Sequence, residues 1–155
     1  MNQVEFLADQ LARSYRGEAW HGPSLLEVLN GVTAQMASAK PIPGAHSIWE
    51  LVTHIGAWID AVRRRTAGDP AQLTQQEDWP ATPGDIEEAW QQTLSNLDQE
   101  QNQLHAAIRA LPETSLRAGV PEAKYSVRFM IEGVIQHNLY HAGQIALLKK
   151  AALNR

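Results

Sequence analysis

Apolar positions recur at helical spacing in four long stretches of this chain. Leu7 and Leu11 lie four residues apart and, with Phe6, predict a helix from about Val4 to Arg16, which the segment GEAWHGP, residues 17–23, interrupts. Ser24 and Glu27 then form an S-x-x-E capping box ahead of Leu25, Val28, Leu29, Val32 and Met36. This second piece and the first are compatible with one kinked helix. After the break KPIPGA, residues 40–45, Ser47 and Glu50 repeat the box and open a helix through Leu51, Val52, Ile55, Ile59 and Val62 to about Gly68.

Residues 67–84 carry turn chemistry and little periodicity, so they are expected to form a long connection. Thr82 and Pro83 read as an N-cap followed by proline at the first helical position. The helix they start runs to about Ala110 with Ile86, Trp90, Leu94, Leu97, Leu104 and Ile108 inward. Residues 111–126 are again irregular. The last helix spans about Val127 to Ala152 on a stripe of Val127, Met130, Ile131, Val134, Ile145 and Leu148, and Lys149 and Lys150 suit its C-terminal dipole. Alternating β-branched runs are few, so the expected class is all-α. Four long helices with two connections above a dozen residues describe a four-helix bundle in which not all neighbours are joined by tight turns.

At 155 residues and 44% hydrophobic, residues 1–155 fit a single domain with enough core to need no covalent staple. The formal charge is -4, with acids and bases mixed throughout, which disfavours a nucleic-acid partner. The first residues, MNQVEFLADQLARS, have no apolar signal core, and no apolar run reaches the roughly 20 residues of a membrane span, so a cytoplasmic chain is expected. Cysteine is absent, which removes disulfides, thiolate zinc ligands and a protein thiol nucleophile. Any thiol chemistry therefore needs a thiol brought by a co-substrate.

Against this apolar background the stretch HNLYHAGQ, residues 137–144, is unexpected, because His137 and His141 fall on or beside the inward stripe of the last helix. Their i, i+4 spacing lets two ring nitrogens converge on one ion at about 2.1 Å. Two packed, hydrogen-bonded core histidines satisfy the same spacing. A third inward imidazole separates the readings, and His54 qualifies, on the edge of the apolar stripe between Leu51 and Trp58. One histidine from that helix and two from the last would supply three nitrogens and leave positions open for water or substrate.

The segments HSIWELVTHIGAW, residues 46–58, and HNLYHAGQI, residues 137–145, resemble the DinB-like, damage-inducible family, and AWHGPSL, residues 19–25, is similar to an element of one branch of it. The resemblance implies an up-down-down-up four-helix bundle and a divalent metal held by three histidines, which match His54, His137 and His141 in this chain. It further implies metal-dependent chemistry of either of two kinds. Some members of the wider superfamily are S-transferases or isomerases that use low-molecular-weight thiols such as bacillithiol or mycothiol, and others are described as hydrolases.

Other polar residues carry weaker signals. His21, in the first break, and Gln144, three residues after His141, are candidate substrate contacts, each balanced by a local structural role. Glu50 is one turn before His54, but the Ser47 box already uses it. Asn138 and Tyr140 read as packing or pocket lining, and His46 and His105 lie outside the expected site. Gly133 and Gly143 cost the last helix about 1 kcal/mol each, which close helix approach would offset. Trp20, Trp49, Trp58 and Trp90 read as core and dimer contacts.

Three neutral nitrogens without thiolate or carboxylate make zinc the default ion and nickel the alternative. The expected chemistry is activation of water or an external thiol toward a small electrophile, and the lack of an evident general base favours the thiol. A non-catalytic metal-binding or stress-response module and a plain helical dimerisation domain share the pattern. A homodimer is expected from helices of this type, as is metal release when the pH falls towards about 6, the ordinary histidine range.

Overall fold

The computed structural model describes residues 2–153, with helices α1 (Gln3–Arg16), α2 (Leu25–Leu29), α3 (Ala34–Ser38), α4 (Ile48–Thr66), α5 (Gln75–Asp78), α6 (Glu87–Arg109) and α7 (Val127–Leu153). A 3-10 turn at Glu113–Arg117 precedes α7, and no strand forms among the described residues beyond one bridge, Gly119 to Ser126. The expected all-α class is what is found. Helix α4 packs against α6 and α7, and α1 packs against the same two. No helix among the described residues is long and apolar enough to cross a membrane.

Both S-x-x-E boxes are formed. Ser47 Oγ accepts from Glu50 N at 3.1 Å while Ser47 N donates to Glu50 Oε2 at 2.7 Å, and Ser24 with Glu27 repeats the arrangement. Two of the unpaired N–H groups at each helix start are thereby satisfied. The second segment is shorter than its apolar spacing suggests. Thr33 accepts from Met36 N at 3.3 Å and caps a new helix, so α2 and α3 are separate pieces, and residues 17–24 part them from α1.

Helix α6 begins at Glu87, not at Pro83, and Ile86 rather than Thr82 occupies its N-cap with no side-chain bond. Gly84 explains the difference: its φ of +95° is left-handed and ends any helix begun at Pro83. Residues 79–86 instead run beside α3. There Glu87 Oε2 accepts from Ala34 N at 2.8 Å and Gly84 O accepts from Ser38 Oγ at 2.6 Å. Ile86, expected inward, is consequently 52% exposed.

The core runs continuously from Val4 on α1 to Leu148 on α7. All six stripe residues predicted for α7 are buried, as are Leu51, Val52, Ile55, Ile59 and Val62 on α4. On α1, Leu7 and Leu11 are buried while Phe6 is 46% exposed. Trp49 and Trp90 meet edge to face at 5.1 Å and are fully buried. Burying two indoles is favourable only if their N–H groups find acceptors. Trp49 donates to Thr93 Oγ1 at 3.1 Å and Trp90 to Val32 O at 2.8 Å, which also ties the α2–α3 turn to α6. Trp20 is fully exposed, so it is not part of the core.

The glycine that meets a neighbouring helix is Gly56, not Gly133 or Gly143. A Cβ at Gly56 would lie 2.5 Å from Glu100 Oε2 on α6, whereas nothing lies within 4 Å of one at either α7 position. Close helix approach therefore does not account for the two glycines of α7.

Candidate metal centre

His54 projects from the middle of α4, seven residues after its Ser47 cap, and His137 and His141 project one turn apart from α7. Ser126 Oγ accepts from Phe129 N at 3.2 Å and so caps the start of α7, where Val127 N donates to Ala118 O at 2.9 Å. The α4–α7 packing brings the three rings together. His137 Nε2 lies 3.0 Å from His54 Nε2 and 3.1 Å from His141 Nε2, with His54 and His141 buried and His137 half-buried.

Proton placement decides what this contact is. His54 Nδ1 lies 2.8 Å from the backbone oxygen of Asp78 and 3.0 Å from its Oδ1, both acceptors, so Nδ1 carries the proton. His141 Nδ1 lies 2.6 Å from Gln144 Oε1 and is likewise the donor. Both rings then turn bare Nε2 lone pairs toward the centre of the trio. His137 offers at most one Nε2 proton, which can satisfy one of the two but not both. A single cation among the three rings would satisfy both lone pairs at once. Three ligands at about 2.1 Å from one ion stand about 3.0 Å apart at right angles and about 3.4 Å apart in a tetrahedron, so the observed 3.0 and 3.1 Å fit a single divalent ion. The three histidines are therefore positioned to bind a metal ion.

Electrostatics keep the rings available. Burial, and then repulsion from His141 and His54, push the pKa of His137 down to about 3, and burial lowers His141 as well. Protons therefore compete for His137 and His141 only below the ordinary histidine range. No carboxylate belongs to the cluster.

The segment between α4 and α6, which has no periodic pattern, supplies the support. Thr74 and Glu77 form a third capping box, Thr74 Oγ1 accepting from Glu77 N at 3.3 Å and Thr74 N donating to Glu77 Oε2 at 2.8 Å. It winds the single turn α5 and sets Asp78 and Trp79 against the site. Trp58 Nε1 donates to Asp78 Oδ1 at 2.7 Å and fixes the carboxylate that faces His54. Trp79 stacks on His54 at 3.9 Å and 6°, and on His46 at 3.7 Å and 10°. Asp78, Trp79 and His46 are the residues that reading the sequence left out of the site. The T-x-x-E pattern at residues 74–77, of the same type as the two boxes recognised, marks the turn that positions the first two.

The remaining candidates fall as follows. Gln144 touches His141. Glu50 is occupied by the cap and by Lys40 Nζ at 2.8 Å. His21 is exposed and lines a separate cleft with Gln10, Ile135 and Leu139. Tyr140 is 66% exposed, with its ring centre 5.0 Å from that of His141. Asn138 is fully buried beside His137, and neither of its amide atoms has a hydrogen-bond partner among the described residues. His105 lies on α6 and joins no cluster.

A family model described as the DinB superfamily matches residues 19–145, which include all three histidines. The chain belongs to the DinB superfamily. No curated protein and no solved structure matches it. In this DinB-superfamily chain the three histidines between α4 and α7 are positioned to bind a metal ion, and the residues present fit a divalent cation on their own geometry.

Proposed function

We propose that this DinB-superfamily chain is a metal-dependent enzyme that transfers a low-molecular-weight thiol to a small electrophile, with His54, His137 and His141 holding zinc or nickel. The observation that carries the proposal is the convergence of Nε2 lone pairs whose opposite nitrogens are already committed to Asp78 and Gln144. A divalent ion bound there lowers the pKa of a thiol or water beside it and polarises an electrophile. Three neutral ligands leave the ion its full double charge, which favours that chemistry over a structural role.

The chain's own residues position and shield. Asp78 and Trp58 hold the ring of His54, Gln144 holds that of His141, and Trp79 covers one face of His54. In the transfer, sulfur forms the new bond to carbon; with an alkyl halide the halide departs with its electron pair and the thiol proton passes to solvent, whereas an epoxide C–O bond or an alkene π bond opens and the resulting oxygen or carbon takes up a proton. No side chain is required as a base once the thiol is ionised, which is why thiol transfer is preferred here to hydrolysis. The four long helices are read as the up-down-down-up bundle, a reading supported by α1 and α4 each packing on both α6 and α7.

The deciding experiment incubates zinc- and nickel-loaded protein with a panel of alkyl halides, epoxides and activated alkenes. Each is run with and without bacillithiol, mycothiol, glutathione or coenzyme A, and esters and amides are run beside them. Thiol-dependent formation of a thioether is the expected result. Hydrolysis without thiol would replace the thiol by water. Metal-loaded protein inert to every substrate would make the chain a non-catalytic metal-binding module.

A further inference from the structure

Beside the histidine cluster lies a pocket of about 260 Å³ whose wall is formed by Trp58 and Val62 of α4, Phe129, Met130 and Gly133 of α7, and the ring of His137. The lining is almost wholly apolar, and Arg65, with Tyr125, stands at its margin. Arg65 differs from its neighbours on α4. Arg63 pairs with Asp60, and Arg64 pairs with Asp69 at 2.8 Å. Arg65 has no carboxylate partner among the described residues. Its Nε donates to Ala71 O at 2.8 Å and its Nη1 to Tyr125 Oη at 3.1 Å, with Cζ 5.5 Å from the Trp58 ring centre. These contacts fix the plane of the guanidinium and leave its charge unneutralised. A half-buried arginine held in place by neutral groups is a preorganised receptor for an anion.

We propose that this pocket binds the electrophilic substrate, and that the substrate is a small organic acid. An aryl or short alkyl body fills the space between Trp58, Phe129 and Met130, and the carboxylate pairs with Arg65. The substrate class rests on the metal-dependent reading given above, while the binding of an apolar acid does not. Size argues for the electrophile as the occupant. At about 30 Å³ per water the pocket holds roughly nine waters' worth of volume, enough for one ring with a short chain. Placement agrees, because His137 belongs to both the pocket wall and the metal cluster. A molecule anchored at Arg65 thus lies along a mostly apolar wall that ends at the ring of His137.

The test compares 3-phenylpropionate with its neutral analogue 3-phenylpropanamide by isothermal titration and by quenching of tryptophan fluorescence, in zinc-loaded and in chelator-treated protein. The acid is expected to bind at least tenfold more tightly than the amide in both forms. Arg65→Met should abolish that preference at unchanged zinc content. Gly133→Leu, which adds a side chain where a Cβ meets nothing within 4 Å, should weaken both ligands at least tenfold without lowering Tm. Equal affinity of acid and amide for the unmodified protein would overturn the proposal. So would a preference that disappears on chelation yet survives Arg65→Met, since the carboxylate would then be binding the ion. A protein that holds no metal but keeps the Arg65-dependent preference would remove the catalytic reading and leave this pocket standing.

Discussion

Asp78 is the residue through which the central arrangement can be perturbed without touching a ligand. Its backbone oxygen and its carboxylate both accept from His54 Nδ1, at 2.8 and 3.0 Å, and the carboxylate is itself held by Trp58. Asp78→Asn leaves the backbone acceptor and removes the charge. Loss of such a supporting carboxylate costs 10- to 100-fold in metal affinity, and the surviving backbone bond places Asp78→Asn near the lower figure, about 1.4 kcal/mol. Asp78→Ala also removes the anchor for Trp58 and should approach the upper figure, about 2.7 kcal/mol. Competition against a chromogenic zinc chelator measures both, with circular dichroism confirming an unchanged fold. Affinities within twofold of wild type for both variants would refute the reasoning, because His54 would then need no fixed tautomer.

His137→Ala should abolish metal binding and lower the Tm of the zinc-supplemented protein by about 5–10 °C, the effect of losing a ligand present at about 100 times its Kd; an equal drop in chelated protein would assign the residue to packing. Glu100 is half-buried on α6, and burial, then Asp60, raise its pKa to about 7. Because the folded value exceeds the unfolded one of about 4.5, the wild type loses stability as the pH rises through that interval. Glu100→Gln should therefore raise Tm by about 2–4 °C at pH 8, roughly 1 kcal/mol after allowance for solvent screening, and by nothing at pH 5. A pH-independent change would contradict the assignment. On α7, Tyr140 and Leu147 are exposed one heptad apart, and we expect them to face a second copy of the chain. Leu147→Glu should then convert a dimer to a monomer by light scattering, and a monomeric wild type would dismiss the interface.

The three histidines were legible in the sequence because they obey helical periodicity. His137 and His141 share a face by their spacing, and His54 sits in a helix whose cap and stripe are both explicit. The supporting residues follow no such rule. Asp78 and Trp79 lie in a segment without periodic pattern, and only the return of the chain across α4 makes them neighbours of His54. Helix starts were legible where a side chain caps the backbone, at Ser24 and Ser47. The start of α6 was not, because the Thr82–Pro83 signal is cancelled by the left-handed Gly84 and Ile86 holds the position with no cap of its own. Gly133 and Gly143 misled for a related reason. A glycine in a helix signals a close approach or an open space equally well, and here nothing approaches either one. At Gly133 the open space is the apolar pocket beside His137.

The claim on which the rest depends is that these imidazoles exist to hold an ion. Elemental analysis of protein purified without a histidine tag tests it most directly. Near-stoichiometric zinc or nickel, about one ion per chain, is the predicted result, and a His54→Ala, His137→Ala, His141→Ala triple variant should contain none. Wild-type protein with only trace metal, taking up none when zinc or nickel is supplied, would contradict the account.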